Sequence, residues 1–430
     1  MRQVNIRRGI FQGDSLSPLL FVICMIPLSL VLRNVKAWYE FRGKQLKIDH
    51  LLFMDDLKLF GKNEEQIDSL VKTVHIFSND IGMEFGIKKC GMLVMKKGKI
   101  VESDGIQLPD GKTIKIAEQD GYKYLGILEL DKIMEAEMKR KFVKEYERRL
   151  RLVLKSKLNG KNKIMAMNTW AVALLRYGAG VLKWRKDDVA AMDRKTRKLM
   201  TTYGALHPKS DIHRLYLQRD KGGRGLISCE GCISAEENSL GWYVKNSVEP
   251  LLQQVARTDV IETERCETKE NFKKKVREEL EKMWTDKRMY GQYKRDLDKE
   301  VDMEKTWWWL KKGDLKPETE ALLCAAQEQA LRTNYVKFHI HRTSESPLCR
   351  LCGEKGENIT HLTSECKKLA QKEYKKRHDN VARIVHWKLC GLYKLERAEK
   401  WYEHIPNGVI ESDDLKILWD FNIQCDHVID

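Results

Sequence analysis

The clearest hydrophobic pattern in the chain is a pair of short apolar arms on either side of two adjacent acidic residues. Residues 48–53 (Ile-Asp-His-Leu-Leu-Phe) and 57–61 (Leu-Lys-Leu-Phe-Gly) flank Met54, Asp55 and Asp56. Short apolar runs around a polar centre predict two strands joined by a tight turn, with Asp55 and Asp56 at its tip. Adjacent carboxylates repel each other, and a divalent cation that also binds phosphate oxygens would remove this cost. A solvated Asp-Asp turn is the simpler alternative.

An apolar helix is predicted near the N-terminus. Gly9 and Gly13 frame a loop that permits close approach of a ligand, and the loop leads into an apolar periodicity. That periodicity is formed by Phe21, Val22, Met25, Leu28 and Leu32. We expect Ser15 or Ser17 to cap the helix and Pro18 to occupy its first turn. Taken alone, this block is an ordinary capped core helix; beside an anionic substrate, such a helix start suits a template or nucleotide.

A second amphipathic helix is predicted between residues 132 and 163. Its apolar face recurs every fourth residue and consists of Met138, Phe142, Tyr146, Leu150, Leu154 and Leu158. We expect Asn159-Gly160 to end this helix, and a second helix to follow through Met165, Trp170, Leu174 and Tyr177.

The positive charge of the chain indicates a partner that carries phosphate groups. The chain has a net charge of +16, and the segment 132–163 holds 12 Lys or Arg against 4 Glu, half of that surplus. A helix that packs with one side and offers basic residues on the other is suited to phosphate contacts, although a solvated charged helix gives the same pattern. The expected backbone contacts are Arg148, Arg149, Arg151, Lys155 and Lys157.

Composition argues for an intracellular protein with real cores. The hydrophobic fraction is 42%, and the apolar stretch from Leu16 to Leu32 is interrupted by Ser17, Pro18, Pro27 and Ser29. We therefore expect no membrane partner. The 11 cysteines are odd in number and scattered, which indicates reduced thiols and a metal site more than a disulfide framework.

One group of cysteines has the spacing of zinc ligands. Cys349 and Cys352 are followed by His361 and Cys366, giving a Cys-x2-Cys-x8-His-x4-Cys pattern. Three thiolates and one imidazole satisfy tetrahedral zinc, and the metal would supply most of the folding energy of so small a lobe. Packed side chains without a metal are the alternative. A basic run from Lys367 to Arg377 follows, which suits a nucleic-acid surface beside the lobe.

Three weaker motifs are weighed against structural roles. Residues 222–225 (Gly-Gly-Arg-Gly) could bind phosphate but are more typical of a chain reversal. Cys229-x2-Cys232 has no complementary pair just downstream; His207 and His213 are possible partners, but we do not favour zinc there. Trp307, Trp308 and Trp309 could stack on bases, but we favour anchoring of a helix to a core.

Four ordered blocks resemble the reverse transcriptase family. They are Gln12-Gly13-Asp14-Ser15-Leu16-Ser17-Pro18, Phe53-Met54-Asp55-Asp56, residues 82–90, and Tyr122-Lys123-Tyr124-Leu125-Gly126-Ile127. Among its members, the chain most resembles polyproteins of non-LTR retrotransposons that carry a restriction-like endonuclease. The resemblance implies an α+β fold: a partial polymerase palm of antiparallel sheet and helices, a helical thumb, a small zinc-binding lobe and the start of an α/β nuclease domain.

The resemblance also assigns roles. It makes Asp55 a ligand of a catalytic Mg²⁺ pair with Asp56 in support, and it places Met54 at the primer end. Gln12 and Gly13 would line the template-nucleotide pocket. Lys89 would neutralise or protonate the leaving pyrophosphate, and a solvated lysine after a turn is the alternative for this residue. The primer grip would be formed by Tyr124, Leu125 and Gly126. Family members usually have Asn where this chain has Gly86, so the loop before Lys89 departs from the pattern.

Two-metal chemistry needs a further carboxylate from another strand. In the family that aspartate precedes the Gln-Gly block by several tens of residues, and here residues 1–8 contain no acidic residue. A nuclease Pro-Asp and Asp/Glu-x-Lys set is likewise not recognisable near Asp414-Leu415-Lys416, which we interpret as a surface turn. We therefore expect a fragment truncated at both ends that is unable to polymerise alone.

The expected domains are a partial palm (1–130), a thumb (131–250), a connector (251–340), a zinc knuckle (341–380) and a nuclease start (381–430). The partners would be an RNA template and a DNA primer or target, with a separate fingers-containing chain as a further possibility. A nuclear location follows from the resemblance alone. The alternative function is a non-catalytic, zinc-containing nucleic-acid-binding protein.

Overall fold

The computed structural model describes residues 10, 13–41, 46–83, 86–116, 121–257, 263, 265–412 and 415–421. Gln12 and Asp414, which the sequence analysis singled out, lie outside these ranges. The chain divides into two compact units. Unit 1 is Met1–Tyr203, Tyr216–Gln218 and Arg224–Glu279; unit 2 is Gly204–Leu215, Arg219–Gly223 and Leu280–Asp430.

The described structure mixes helices with short antiparallel strand pairs, which confirms the α+β class. The strands are β1 (Tyr39–Glu40), β2 (Lys47–Ile48), β3 (His50–Phe53), β4 (Asp56–Leu59), β5 (Val94–Lys96), β6 (Lys99–Val101), β7 (Ile106–Gln107), β8 (Thr113–Ile114), β9 (Tyr122–Tyr124), β10 (Ile127–Glu129), β11 (Val409–Ser412) and β12 (Leu415–Leu418). Each pairs with its neighbour in sequence, so within the described ranges the sheet consists of separate two-stranded hairpins.

The helices fill both units. They are α1 (Ser17–Asn34), α2 (Glu64–Asp80), α3 (Glu135–Lys155), α4 (Gly160–Ala166), α5 (Val172–Gly178), α6 (Lys186–Thr202), α7 (Ile212–Tyr216), α8 (Cys229–Asn246), α9 (Pro250–Ala256), α10 (Lys269–Thr285), α11 (Gln292–Arg295), α12 (Met303–Thr306), α13 (Trp308–Lys312), α14 (Pro317–Gln327), α15 (Asn334–Val336), α16 (Lys367–Leu369) and α17 (Lys375–Leu392). Single 3₁₀ turns lie at Ile87–Lys89 and Arg219–Lys221. π-helical turns lie at Met167–Ala171, Lys337–His341, His361–Glu365 and Ala370–Tyr374.

Helix α1 differs from its expected form at the N-terminus. The N-cap is Leu16, which makes no side-chain cap bond, so neither Ser15 nor Ser17 caps the helix. Pro18 occupies the first turn as expected, and the Asp14 carboxylate accepts a hydrogen bond from the Leu16 N–H at 2.7 Å. An acidic side chain two residues earlier therefore satisfies the chain at the helix start instead of a serine.

Helix α1 is long and apolar. Its 18 residues have a mean hydropathy of 1.7, so by length and composition this helix could cross a membrane, although only 17% of it is buried. Its buried stripe of Met25, Leu28 and Leu32 packs into the core of unit 1 with Leu70 and Val74.

The second half of unit 1 is a helical bundle built on α3. The buried residues of α3 include Met138, Phe142, Tyr146, Leu150 and Leu154, which confirms the predicted apolar face. The helix ends at Lys155, and Leu158 is 40% exposed. Asn159 does not end α3 but begins α4, because its side chain accepts a hydrogen bond from the Asn162 N–H at 2.8 Å.

Cys229 and Cys232 make separate contacts in this bundle. The Cys229 thiol lies 3.3 Å from the Tyr146 hydroxyl and the Cys232 thiol 3.8 Å from the Val172 carbonyl oxygen. Burial raises the pKa of Cys232 to about 11. Both thiols are therefore core groups, each with a contact of its own.

The core of unit 2 surrounds a buried arginine. Arg214 donates to the carbonyl oxygens of Gly222 and Cys324 at 2.9 Å each. Its guanidinium stacks 4.9 Å from the Trp284 ring. Trp307 is fully buried beside it while Trp308 is 52% exposed, so the first tryptophan of the triplet anchors the core as favoured. Gly222 (φ +90°) packs against Trp307, where a Cβ would lie 2.7 Å from the indole, which supports the chain-reversal interpretation of residues 222–225.

Candidate functional site

The two adjacent aspartates lie at the tip of a tight hairpin, as predicted. β3 and β4 pair antiparallel with Phe53 opposite Asp56, so Met54 and Asp55 form a two-residue turn. Met54 has a φ of +54°, the left-handed conformation that such hairpin turns require. Asp55 and Asp56 are both exposed. The turn therefore presents two carboxylates outward on a short, registered support.

The base of this hairpin is fixed against the core of unit 1. Leu52, Leu57 and Leu59 pack on the cluster that contains Leu28 of α1. The His50 ring bridges α1 and β3, since its Nε2 lies 2.9 Å from the Ser29 hydroxyl while its Nδ1 lies 2.8 Å from the Asp49 carboxylate. Packing and this bridge set the direction in which the hairpin projects.

A second hairpin lies beside the first. Tyr124 pairs with Ile127 across a turn formed by Leu125 (φ +46°) and Gly126 (φ +79°). The two hairpins are joined by Lys58 of β4, whose ammonium lies 2.5 Å from the Glu129 carboxylate and 5.1 Å from the centre of the Tyr124 ring. The residues expected to grip a primer therefore lie next to the strand that carries Asp56.

Asp56 is close enough to affect two tyrosines of this second hairpin. Burial is the main cause that raises the pKa of Tyr122 and Tyr124, and the Asp56 charge raises each of them further. Both phenols stay protonated at neutral pH and are able to donate hydrogen bonds. The tip of the acidic hairpin thus lies in a neighbourhood of neutral donors.

Lys89 belongs to the same neighbourhood through its backbone. It ends the 3₁₀ turn Ile87–Lys89, and its carbonyl oxygen accepts a hydrogen bond from the Tyr122 hydroxyl at 2.6 Å. The side chain of Lys89 is exposed. Gly86 has a φ of −77°, a value open to other residues, so this departure from the family pattern does not require glycine.

The template-side residues are only partly described. Gly13 (φ +99°) is exposed, and a Cβ placed there would meet no atom within 4 Å, so its loop leaves room for a ligand. Met54 borders an open cleft of about 770 Å³ that α1 lines with Val22, Ile26 and Ser29. Gln12 lies outside the residues that the structure describes.

A metal pair would need more ligands than this hairpin offers. Within the described ranges, Asp55 and Asp56 are not joined by a third carboxylate, imidazole or thiol close enough to share an ion. Two exposed carboxylates with free oxygens fit the ligand preference of Mg²⁺, which is usually bound by one or two carboxylates plus substrate phosphates. The hairpin is thus a partial site for a hard divalent cation.

The basic residues of α3 divide into two groups. Arg148 and Arg149 both bind Glu145, at 2.7 and 2.8 Å, and these bonds lower the pKa of that carboxyl to about 2. Arg151 binds Glu147 at 2.6 Å. Lys155 and Lys157 are exposed at and just beyond the C-terminal end of the helix. The glutamates on α3 therefore occupy part of the arginine surface that was expected to face phosphate.

The four predicted zinc ligands converge in unit 2. The ligand atoms of Cys349, Cys352, His361 and Cys366 all lie within 4.8 Å of one another. The Cys349 and Cys366 sulfurs are 4.0 Å apart, and the Cys352 sulfur is 3.3 Å from His361 Nε2. Tetrahedral zinc with bonds of about 2.1–2.3 Å separates its ligand atoms by about 3.3–3.8 Å, so these residues fit the ion.

The surroundings of this group favour a thiolate. Backbone N–H groups, that of Glu354 above all, lower the pKa of Cys352 to about 6. Gly353 adopts a φ of +72° and its N–H donates to the Cys349 carbonyl at 2.8 Å, which closes the Cys-x2-Cys turn. The buried Glu357 holds the turn from behind through a bidentate pair with Arg350, at 2.8 and 2.5 Å.

The sequence analysis missed one group of possible metal ligands. His386, Cys390 and His404 lie together in unit 2 and are all buried. The signal that could have found them is a His-x3-Cys pair on a predicted helix, which places both side chains on one face.

Comparison with known proteins agrees with this geometry. Residues 2–128 match the family described as reverse transcriptase (RNA-dependent DNA polymerase). The chain is 29% identical over 133 residues to the retrovirus-related Pol polyprotein from type-1 retrotransposable element R2 of Nasonia vitripennis. It is 26% identical over 125 residues to that from type-2 retrotransposable element R2DM of Drosophila melanogaster. These matches cover 30% and 28% of this chain but only 13% and 12% of the two relatives. Residues 2–128 therefore correspond to a reverse transcriptase domain, and the chain is similar to polyproteins of R2 retrotransposable elements.

Proposed function

We propose that this chain is part of an RNA-directed DNA polymerase that binds an RNA template and a DNA primer or target, in the nucleus. The observation that supports this best is the convergence of the Asp55-Asp56 turn, the Tyr124-Leu125-Gly126 turn and the Lys89 loop. In that arrangement Asp55 and Asp56 would hold divalent cations, and the β9–β10 hairpin would position the primer end beside them. Lys89 would offset the charge of the leaving pyrophosphate, while Gln12, Gly13 and Met54 border the template and nucleotide.

Magnesium, when bound, would activate the primer hydroxyl and stabilise the charge that develops on phosphate. The protein would fix the two carboxylates, hold the primer end in one position and neutralise the charge of the leaving pyrophosphate. A third carboxylate on another strand would be needed to clamp two cations. We propose that the chain alone binds template–primer without extending it, and that a fingers-containing chain would supply the missing group.

The Cys349–Cys366 group extends the proposal to a zinc-binding lobe. Its four residues would hold Zn²⁺, whose role is to order a small lobe with little apolar core. The basic run that follows, including Lys367 and Lys368, would add phosphate contacts. This part of the proposal favours nucleic-acid binding whether or not the polymerase site is complete.

Primer extension by the purified chain tests the proposal. With a labelled RNA–DNA template–primer, deoxynucleotides and Mg²⁺, we expect salt-dependent binding and no extension. Addition of a fingers-containing chain should enable extension. In that mixture Asp55→Asn should abolish extension, whereas Asp104→Asn, which changes an exposed aspartate of the same unit, should not. Extension by the chain alone, lost in Asp55→Asn, would overturn the proposed inactivity. Binding that no fingers chain ever converts into extension would favour the non-catalytic binding protein.

A further inference from the structure

A second group of metal-ligating side chains lies beyond the zinc lobe, and the proposed polymerase does not use it. His386 and Cys390 lie one turn apart on α17, and His404 belongs to the loop that follows this helix. Their exposed fractions are 3%, 0% and 5%. The three ligand atoms lie within 4.8 Å of one another. Buried imidazoles and a thiol that face one another are a typical composition for a transition-metal site.

The loop reaches this position through contacts of its own. The Trp387 indole N–H donates to the Ala398 carbonyl oxygen at 2.8 Å, and the Arg397 guanidinium stacks on the same indole at 4.2 Å. The Leu395 N–H donates to the Cys390 carbonyl oxygen at 2.8 Å. The chain therefore reverses after α17 and delivers His404 to the helix without needing a metal to do so, which gives a preformed site.

One distance within the group is close to that of zinc ligands, and the other is about half an ångström shorter. His386 Nδ1 lies 2.8 Å from His404 Nε2 and 3.5 Å from the Cys390 sulfur. Around a tetrahedral zinc these separations would be about 3.3 Å between nitrogens and about 3.6 Å between nitrogen and sulfur. The corresponding nitrogen–sulfur distance in the zinc lobe is 3.3 Å. A displacement of about half an ångström by His404 would accommodate the ion.

Hydrogen bonds among these three side chains cannot satisfy all of their donors at once. If His386 Nδ1 carries the proton, it donates to His404 and the Cys390 thiol proton has no acceptor within the group. If His404 Nε2 carries it, that N–H and the thiol compete for the single lone pair of His386 Nδ1. One cation would use all three lone pairs at once, with the thiol proton released to solvent.

We propose that His386 Nδ1, Cys390 Sγ and His404 Nε2 bind a second transition-metal ion of the zinc class, with a water or an anion in the fourth position. One thiolate and two imidazoles prefer zinc over Mg²⁺ or Ca²⁺, which take oxygen ligands. Arg383 and Arg397 lie near His404 and would favour an anion as the fourth ligand.

The site would fasten the elements that follow the zinc lobe. The His386 ring contacts Trp419, just beyond β12, edge to face at 5.8 Å. A metal bound at Nδ1 would fix α17 relative to the loop that carries His404, and the contact with Trp419 links the same ring to the β11–β12 hairpin. The inference is independent of the polymerase proposal because it concerns residues outside 2–128.

Metal content of the full chain purified in zinc without chelator provides the test. We expect two zinc ions per chain, and a loss of one in Cys390→Ser and in His404→Asn. Cys324→Ser, which changes another buried thiol of unit 2, and His378→Asn, an exposed histidine on α17, are the matched controls and should keep both. Zinc content unchanged in Cys390→Ser and His404→Asn would overturn the proposal.

A measurement on the unaltered chain guards against a variant that fails to fold. X-ray absorption at the zinc edge reports the average number of sulfur ligands, which is about three if only the Cys349–Cys366 group is filled and about two if both groups are filled. An average near one would mean that only the new site binds zinc. An average near three sulfur ligands, with a single zinc ion per chain, would refute the second site.

Discussion

At the residue scale, local chemistry was predicted where a side chain has one strong preference. The Cys-x2-Cys turn and the acidic hairpin tip follow from turn and ligand geometry alone. Asn159 shows the limit, since asparagine favours both the end of one helix and the start of the next. Its side chain bonds to the N–H of Asn162, and only the path of the chain after α3 decides between the two roles.

The N-cap role of Asn159 predicts a measurable loss of stability. Asn159→Ala removes the acceptor for the Asn162 N–H and should lower the free energy of unfolding by about 1 kcal/mol. Asn159→Ser retains a capping oxygen and should stay close to the parent chain. Urea unfolding followed by circular dichroism measures the difference, and equal losses in the two variants would contradict the capping role.

Glu357 predicts a pH dependence at the zinc lobe. Its bonds to Arg350 lower its pKa from 4.5 to about 2. The folded-state pKa thus lies below that of the unfolded chain, so the stabilisation is present above pH 4.5 and disappears as the pH falls toward 2. Glu357→Gln should cost about 2 kcal/mol at pH 7, and the difference from the parent should shrink below pH 4.5.

Thermal unfolding at several pH values compares the two chains, with the zinc content of each chain measured at every pH. Glu345→Gln, which alters an exposed carboxylate nearby, serves as the control and should show no difference from the parent. A gap between Glu357→Gln and the parent that stays constant down to pH 3 would show that the carboxylate charge is not the cause.

At the element scale, the apolar face of α3 could be predicted from periodicity but its ionic pairing could not. Spacing identifies which residues share a face. Whether Arg148 and Arg149 bind Glu145 depends on their rotamers and on the neighbouring Trp170. The centre of the Trp170 ring lies 5.3 Å from the Arg149 guanidinium. The third ligand position in the His386 group was invisible for a related reason, since His404 arrives through a loop whose path the periodicity does not encode.

This pairing ranks the basic residues of α3 as nucleic-acid contacts. Lys155 and Lys157 should bind phosphate more than the arginines held by glutamates. The double variant Lys155→Ala/Lys157→Ala should weaken binding and reduce the slope of log K against log salt concentration by about 1.4 to 1.8. Lys72→Ala, on the ion-paired lysine of α2, should leave the slope unchanged. Fluorescence anisotropy across a salt series measures both, and an equal slope in all three chains would exclude the contact.

At the scale of the whole molecule, the order of motifs predicted the family and the fold class, but contacts between distant segments came only from the structure. Lys58 reaches Glu129 across 71 positions, and Tyr122 reaches Lys89 across 33. No local pattern encodes such pairs. The strands also appear as separate hairpins, since whether short strands join into one sheet depends on tertiary packing more than on their own sequence.

Metal removal should change amide protection in some regions of the chain and not in others. A chelator should abolish amide protection around residues 349–366, because the apolar core there is too small to keep the turns folded without zinc. The buried face of α3 needs no metal and should keep its slow exchange, which makes residues 138–154 an internal control. Hydrogen–deuterium exchange by mass spectrometry compares the two regions in one sample. Residues 386–404 should lose protection only if the second site is filled, and unchanged exchange at 349–366 would contradict a structural zinc in the lobe.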